Sequence, residues 1–293
     1  MNVLIAGGTG FIGSYISNRF IEMGYRVNII SRKSEQVNWN ESSLIKALEK
    51  TDILINLAGK SINCKHSTAN KKLILSSRID TTNKLGQAIE KCKKAPSIWI
   101  NASASAIYKP SIETCYTETN YKKGDSFLAK TVEQWEKSFF DFKLSNTRQI
   151  AFRTSVVLGN NGGAFEPLKR ITMFGLGGKV GTGKQIFSWI HIEDFFRIME
   201  YSIQNESIKG AINVTSPTPL PNAEFMMQMR KAVGCKIGIP APAFAIKIAS
   251  IFLNTEPELL LDSVNYYPET LLENGFKFKF YNSQDAIKDL INN

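Results

Sequence analysis

An α/β fold with a doubly wound parallel sheet is predicted by three features of the sequence. Short apolar runs alternate with segments in which apolar residues recur every three or four positions, which indicates strands that alternate with helices. The runs are apolar on both faces, as in a parallel sheet covered by helices on both sides. The first run, Val3 to Ala6, leads directly into a glycine-rich turn. The length of 293 residues, 43% of them hydrophobic, suits one large domain or two closely packed ones.

The glycine-rich turn carries the strongest functional signal. It has the spacing G-x-x-G-x-x-G and reads Gly7-Gly8-Thr9-Gly10-Phe11-Ile12-Gly13. Without a Cβ, Gly7 and Gly10 permit a tight turn and the close approach of a pyrophosphate, and Gly13 lets the next helix pack on the strand. The free N–H groups at the start of that helix also favour phosphate. We therefore expect a dinucleotide site of the Rossmann type, the alternative being a turn that binds nothing.

Apolar periodicity predicts the elements that follow. Further strands are expected at residues 26–30, 52–57, 98–102, 150–153 and 188–192. Two amphipathic helices are expected, one with Leu85, Ala88, Ile89 and Cys92 on its apolar face, the other with Leu128, Val132, Trp135, Phe139 and Phe142. The apolar stretch from Ile237 to Leu253 contains two prolines and a lysine and is shorter than the roughly 20 residues of a membrane helix. We expect a buried helix there.

The domain organisation is predicted from where this alternation stops. Residues 1–158 form the predicted Rossmann domain, to which residues 186–214 return. Eight glycines between residues 159 and 184, and frequent prolines after residue 216, indicate a different second part. Residues 159–293 would form a smaller, mainly helical portion that covers the substrate. Ligands are expected in the cleft beyond the carboxyl ends of the strands.

Composition narrows the possible partners and compartments. The net charge of +10 comes from scattered lysines and arginines, so a nucleic-acid partner is not expected, although an anionic cofactor or substrate would be favoured. No membrane partner is expected either. The first strand begins at residue 2, which leaves no room for a signal peptide, and we expect a cytoplasmic protein, monomeric or homodimeric. The four cysteines form no C-x-x-C pair, which argues against a metal site and a disulfide framework.

Several segments resemble one family, the extended short-chain dehydrogenase/reductases of the NAD(P)-dependent epimerase/dehydratase branch. They are the glycine turn and residues 56–59 (NLAG), 103–108 (SASAIY), 153–159 (RTSVVLG) and 189–194 (WIHIED). Residues 127–129 (FLA), Trp135-Glu136, 188–191 (SWIH) and 271–278 (LLENGFKF) are similar to an atypical bacterial subgroup called epimerase family proteins. The resemblance covers nearly the whole chain and is more specific for fold and cofactor than for substrate.

The resemblance implies which residues would bind the cofactor. The pyrophosphate would lie at Gly7, Gly10, Phe11 and Ile12, and Thr9 and Gly13 complete the cofactor-binding turn. Ser31 and Arg32 would meet the adenosine ribose, and Leu57-Ala58-Gly59 would pass alongside the adenine half.

Arg32 points to NADP by its chemistry alone. It lies 22 residues after Gly10, where an acidic residue would bind a free ribose 2′-hydroxyl. A guanidinium at that position suits a 2′-phosphate instead, through charge-assisted hydrogen bonds. We therefore expect NADPH rather than NADH as cofactor. The alternative is a solvated surface arginine, since Lys33 offers a competing cation.

The catalytic residues depart from the family pattern. Members with assigned chemistry use a Ser or Thr after the fourth strand and a Tyr-x-x-x-Lys pair on the next helix, whose lysine lowers the tyrosine pKa. No tyrosine in this chain has a lysine four residues later. Ser126 stands in the place of the tyrosine, and Lys130 in the place of the lysine.

Four residues are therefore candidates for polarising a substrate oxygen and transferring a proton: Ser103, Ser105, Tyr108 and Lys130. Tyr108 ends the fourth-strand motif, and we expect Lys130 to lower its pKa, whereas the Ser126 hydroxyl is too weak an acid to be activated in this way. Ser103 and Ser105 could polarise the oxygen or could simply cap backbone groups in the turn.

Two functions are consistent with these residues. The favoured one is an NADP-dependent oxidoreductase or epimerase that moves hydride between nicotinamide and a small polar, sugar-like or carbonyl-bearing molecule. The alternative is a non-catalytic protein that reports the NADPH/NADP ratio to a partner. The missing Tyr-x-x-x-Lys pair favours the sensor, and the retained serines and the segment at Arg153 favour the enzyme. His191 and Asp194 are expected to fix the sheet edge rather than take part in chemistry.

Overall fold

A computed structural model describes residues 1–31, 37–246 and 256–292. The strands are β1 (Asn2–Ala6), β2 (Arg26–Ile30), β3 (Ile53–Asn56), β4 (Ile98–Ala104), β5 (Ser111–Tyr116), β6 (Arg148–Thr154), β7 (Val156–Leu158), β8 (Ile186–Phe187), β9 (Trp189–His191), β10 (Gly210–Val214), β11 (Leu220–Pro221) and β12 (Val264–Tyr266). The longer helices are α1 (Phe11–Glu22), α2 (Glu41–Leu48), α3 (Thr68–Glu90), α4 (Phe127–Phe140), α5 (Phe165–Met173), α6 (Ile192–Gln204) and α7 (Asn222–Ala232). Short helices Glu258–Leu261 and Glu269–Glu273 and a terminal helix, Ser283–Asn292, follow.

The predicted α/β fold is confirmed. Six strands form one sheet in the order β10-β6-β4-β3-β1-β2, and every neighbouring pair is parallel. Alternate residues of β1 enter different cores. Val3 and Ile5 pack on the face covered by α1 and α6, while Leu4 and Ala6 pack on the face covered by α2, α3 and α4. The strands are apolar on both faces because helices bury both.

The expected strand at residues 188–192 does not belong to this sheet. β9 pairs in parallel with β7 as a separate two-stranded ribbon, and β10 is the strand that lies beside β6. Short apolar runs give no information about their pairing partner, which explains the error.

The expected buried helix from Ile237 to Leu253 is wrong in its bounds and its burial for the part that the structure describes, although residues 243–246 are helical. Residues 237–241 are not helical, and the side chains of Ile237, Ile239 and Phe244 are exposed. Residues 247–253 lie outside the described ranges. Within those ranges, no helix combines the length and the apolar character that crossing a membrane requires.

The C-terminal segment packs against the rest of the molecule through a buried carboxylate. Asp194, at the start of α6, accepts hydrogen bonds from the backbone N–H groups of Lys279 and Phe280, both at 2.8 Å. His191 caps the same helix, since its Nδ1 accepts from the N–H of Glu193. Both residues are therefore structural, as expected, but they hold α6 and the C-terminal segment rather than an edge of the central sheet.

Candidate dinucleotide and substrate site

The glycine turn lies at the carboxyl end of β1 and is shaped by close backbone contacts. Gly7 has φ +82°, and a Cβ there would lie 2.9 Å from the carbonyl carbon and oxygen of Leu57. A Cβ at Gly13 would lie 2.3 Å from the Gly7 carbonyl oxygen, so only glycine lets α1 approach the strand this closely. Both contacts are consistent with the roles that the spacing predicts for these glycines.

The start of α1 is open to solvent and has no side-chain cap. Gly10 is the N-cap residue, and no side chain of the described residues caps the helix. Thr9 and Gly10 are exposed, and the nearest atom to a Cβ built at Gly10 would be the Gly7 carbonyl oxygen, 3.5 Å away. Uncapped N–H groups, a positive helix end and free space in front of them fit a phosphate group.

Other residues expected to bind the cofactor follow the two strands on either side of β1, since Ser31 follows β2 and Leu57 and Ala58 follow β3. The Leu57 N–H donates to the Ala6 carbonyl, and the Ala58 N–H donates to Asn56 Oδ1, which fixes the Leu57-Ala58 segment beside β1. Ser31 follows β2 directly. Arg32 lies outside the described residues, so its expected contact with a 2′-phosphate stays a prediction from sequence.

A row of buried polar side chains crosses three neighbouring strands near their carboxyl ends. The register places Ser103 of β4 and Asn213 of β10 on either side of Arg153 of β6. Glu136, from α4, accepts from the Ser103 hydroxyl at 2.6 Å and from Arg153 Nε and Nη2 at 2.9 Å each. The resulting ion pair is buried, with Arg153 only 4% and Glu136 only 9% exposed.

Tyr108 joins this row through its hydroxyl. Arg153 Nη1 donates to that hydroxyl at 3.1 Å, and the hydroxyl donates to Asn213 Oδ1 at 2.5 Å. Asn213 is held in turn by Glu118, which accepts from its backbone N–H, and by the Tyr267 carbonyl, which accepts from its side-chain amide. We call the set Ser103, Glu136, Arg153, Tyr108 and Asn213 the polar row.

The expected effect of Lys130 on Tyr108 is wrong. Burial raises the pKa of Tyr108, and the cation in contact with its ring and hydroxyl is Arg153, which offsets only part of that effect. Lys130 is exposed in the first turn of α4. Ser126 accepts from the Ala129 N–H as the N-cap of that helix, so the serine in the usual tyrosine position starts a helix.

A second tyrosine lies at the same edge of the sheet and has an unpaired hydroxyl. Tyr266, at the end of β12, is completely buried, and its hydroxyl makes no hydrogen bond of normal geometry with a described residue. Burial raises its pKa, whereas interactions with the hydroxyls of Ser155, Ser105 and Thr215 lower it. Ser105, Ser155 and Thr215 directly follow β4, β6 and β10, respectively. We call these four residues the hydroxyl cluster.

Sequence reasoning missed Glu136, Asn213 and Tyr266 as site residues. Glu136 could have been found, because it falls four residues after Val132 and three before Phe139, on the apolar face of a predicted helix. An arginine inside the apolar strand at residues 150–153 also indicates a buried acidic partner. Tyr266 carries no such signal, since only the fold brings it to the sheet edge.

Comparison with known proteins agrees with this geometry. The model of the NAD dependent epimerase/dehydratase family matches residues 3–215, and a second model, Domain of unknown function (DUF1731), matches residues 241–290. The chain belongs to the NAD dependent epimerase/dehydratase family. The resemblance to extended short-chain dehydrogenase/reductases of the epimerase family protein subgroup is therefore confirmed.

Relatives match along the whole chain. Epimerase family protein SSP1921 of Staphylococcus saprophyticus is 34% identical and covers 98% of both chains. A crystal structure of the human epimerase family protein SDR39U1 with NADPH is 31% identical, with a TM-score of 0.93 over 100% of both chains. A nucleoside-diphosphate sugar epimerase of Corynebacterium glutamicum is 26% identical, with a TM-score of 0.80 over 99% of this chain and 58% of that one.

Proposed function

We propose that the protein is an NADP(H)-dependent oxidoreductase or epimerase-like enzyme that acts on a small polar substrate. One observation carries the proposal. The uncapped start of α1 and the hydroxyl cluster lie at the same edge of the parallel sheet, beyond the carboxyl ends of its strands. In such sheets ligands bind at that edge. A bound NADPH would supply hydride there.

For the cofactor, the proposal uses the residues that the sequence predicts. The turn residues Gly7, Thr9, Gly10, Phe11, Ile12 and Gly13 would hold the pyrophosphate, Ser31 and Arg32 the ribose, and Leu57, Ala58 and Gly59 the adenine half. The preference for NADPH is supported by Arg32, by the lack of an acidic residue directly after β2, and by the NADPH in the human relative.

For the substrate, the proposal assigns the oxygen-binding part to Ser105 and Tyr266. Because burial raises the pKa of Tyr266, its phenol stays protonated at neutral pH and can donate a hydrogen bond. An unpaired buried donor costs stability, so its retention is easier to understand if a ligand accepts from it. Tyr108 and Ser103 would act through the polar row by holding the ends of β4 and β10 in place. Lys130 stays a candidate for proton transfer from the exposed start of α4.

The test combines cofactor titration with a turnover screen. NADPH binding is measured by calorimetry against NADH, and NADPH oxidation is then measured with aldehydes, ketones and keto-sugars. Tighter binding of NADPH together with turnover that falls in Tyr266→Phe is the expected result. Absence of binding for both dinucleotides would contradict the proposal.

A non-catalytic NADP(H)-binding regulatory protein is the second candidate, and one observation favours it. Tyr108, which ends the fourth-strand motif, has its hydroxyl already paired with Arg153 and Asn213. Tight NADPH binding without turnover of any compound in the screen would favour this candidate.

A further inference from the structure

The exposed apolar side chains of this protein are concentrated in two segments. Among the described residues, 14 large apolar side chains are exposed, and eight of them lie in residues 167–185 and 225–246. Phe174 is 77%, Ile237 65% and Met173 62% exposed. Single exposed apolar residues are ordinary, but a group of this kind marks an interaction surface.

The two segments are neighbours in space. The Ile239 N–H donates to the Gly175 carbonyl at 2.8 Å, and the Gly178 N–H donates to the Ile239 carbonyl at 3.2 Å. Arg230 Nη1 also donates to the Gly177 carbonyl, at 2.6 Å. The two segments therefore form one surface, which we call the apolar face; its members are Ile171, Met173, Phe174, Leu176, Ile237 and Ile239.

The two segments that carry the apolar face contain basic but no acidic residues, although Glu166 and Glu224 directly precede them. The whole chain has 26 acidic residues, yet none falls in residues 167–185 or 225–255, which contain eight lysines and arginines. Arg170, Lys179, Lys231 and Lys236 are among them and are exposed. The two segments that form the apolar face therefore carry exposed basic side chains and no acidic ones.

This combination favours a negatively charged partner with an apolar layer. A second copy joined by a two-fold contact would bring like charges together, which is unfavourable. An anionic bilayer surface offers both components, because headgroups attract lysine and arginine while protruding apolar side chains enter the boundary of the acyl chains. No spanning helix is needed for such binding.

We propose that the apolar face binds the surface of an anionic lipid bilayer. Phe174, Met173 and Ile237 enter the interface, and Arg170, Lys179 and Lys236 lie at the level of the headgroups. The binding is peripheral and reversible, and it adds to the cofactor site rather than replacing it. The earlier expectation of no membrane partner rested on the lack of a spanning segment, which does not bear on surface binding.

Vesicle co-sedimentation tests the proposal with the full-length protein. Wild type should sediment with phosphatidylcholine vesicles that contain phosphatidylglycerol, should bind much more weakly to pure phosphatidylcholine, and should be released by salt. Phe174→Ser with Ile237→Ser should lower the partition coefficient at least about tenfold, since two large apolar side chains are lost. Arg170→Glu with Lys179→Glu should lower it by a similar factor.

Matched controls separate the face from general surface properties. Leu73→Ser with Ile112→Ser removes two exposed apolar side chains elsewhere, and Lys72→Glu with Lys122→Glu makes the same charge change elsewhere. Both control pairs should bind vesicles within about twofold of wild type. The lysine pair lowers the net charge from +10 to +6, as Arg170→Glu with Lys179→Glu does, so only the place of the change differs. NADPH titration of each variant reports the fold and the cofactor site independently of the vesicles.

Three outcomes would overturn the proposal. One is a wild-type protein that stays in the supernatant with anionic vesicles. Another is a Phe174→Ser, Ile237→Ser variant that binds them as well as its control pair. The third is a vesicle-free dimer, seen by light scattering, that Phe174→Ser dissociates, because the face would then serve a second copy. A failed NADPH titration would count against the proposed function and not against this surface.

Discussion

The glycine turn and the polar row differ in how their parts are distributed along the chain. The turn is one run of seven residues, Gly7–Gly13, which contacts the end of β2 at Ile29 and Ile30 and the residue after β3, Leu57. The polar row combines side chains from β4, α4, β6 and β10 with Tyr108, across residues 103–213. A local feature owes its geometry to its own sequence, whereas a distributed one depends on the packing of the whole sheet. The two should therefore respond differently to substitution: the turn in binding, the polar row in stability.

The largest effect is expected from Glu136→Gln. It leaves the buried Arg153 guanidinium without its anionic partner, which should lower the free energy of unfolding by about 3–5 kcal/mol. The change is measured by urea denaturation. Glu133→Gln is the matched control on the same helix, because Glu133 pairs with Lys123 at the surface and should lose no more than about 1 kcal/mol. Equal losses in the two variants would mean that the polar row has no special part in stability.

Gly10→Val should produce the opposite pattern. A branched side chain at Gly10 meets little protein, since the Gly7 carbonyl oxygen lies 3.5 Å from the Cβ position, but it fills the space in front of α1. NADPH affinity should fall by about 100-fold or more, while circular dichroism and thermal stability stay close to wild type. Asn18→Val, on the exposed side of the same helix, should bind NADPH normally. Unchanged affinity in Gly10→Val would move the dinucleotide away from the turn.

Tyr266→Phe and Tyr108→Phe separate the hydroxyl cluster from the polar row. Tyr266 has no hydrogen bond of normal geometry to lose, so Tyr266→Phe should leave stability unchanged or slightly higher and lower turnover by about 100-fold. Tyr108→Phe loses contacts with Arg153 and Asn213, so it should destabilise the protein by about 1–3 kcal/mol, and any loss of turnover should accompany that change. Ser126→Ala should alter turnover little.

A reversal of this result would be informative. If Tyr108→Phe abolishes turnover at unchanged stability, then Tyr108 is the catalytic tyrosine despite its burial. If both variants keep full turnover, the proton comes from another group, for which Lys130→Ala is the next test.

The correct sequence predictions mostly concern features that are local in the chain, like the glycine turn. The parallel sheet, α3, α4 and the tight geometry of the glycine turn depend on periodicity and spacing within short windows, and they are confirmed. Apart from the buried helix expected at residues 237–253, the failures concern pairing across long distances: β9 lies outside the central sheet, Arg153 and not Lys130 accompanies Tyr108, and Tyr266 reaches the candidate site from the C-terminal segment. No local pattern contains that information, because each of these contacts joins residues at least 30 positions apart.

Arg32→Ala tests the one cofactor contact that rests on sequence alone. Loss of a charge-assisted contact with a 2′-phosphate should weaken NADPH binding by about 1.5–3 kcal/mol and leave NADH binding nearly unchanged. Calorimetry with both dinucleotides measures the difference, and Lys33→Ala is the control for the neighbouring cation. If Lys33→Ala removes the preference and Arg32→Ala does not, the lysine binds the phosphate. A wild type that prefers NADH would contradict the NADP assignment altogether.

The smallest effect concerns His191, which belongs to neither region and connects the sheet to the C-terminal segment. Burial lowers its pKa, although Asp289, Asp194 and Glu193 act in the opposite direction. Since the folded-state pKa lies below the unfolded value of about 6.5, the unfolded chain takes up a proton first as the pH falls, and this proton uptake destabilises the fold. Stability should therefore fall as the pH drops from about 6.5 towards the folded-state pKa. His191→Asn, which can still cap α6, should lessen that pH dependence between pH 7 and the folded-state pKa, relative to wild type in urea denaturation at each pH. Equal pH dependence in the two proteins would mean that a group other than His191 dominates in this range. Glu118 would act in the opposite direction, because its raised pKa makes the fold more stable as the pH falls.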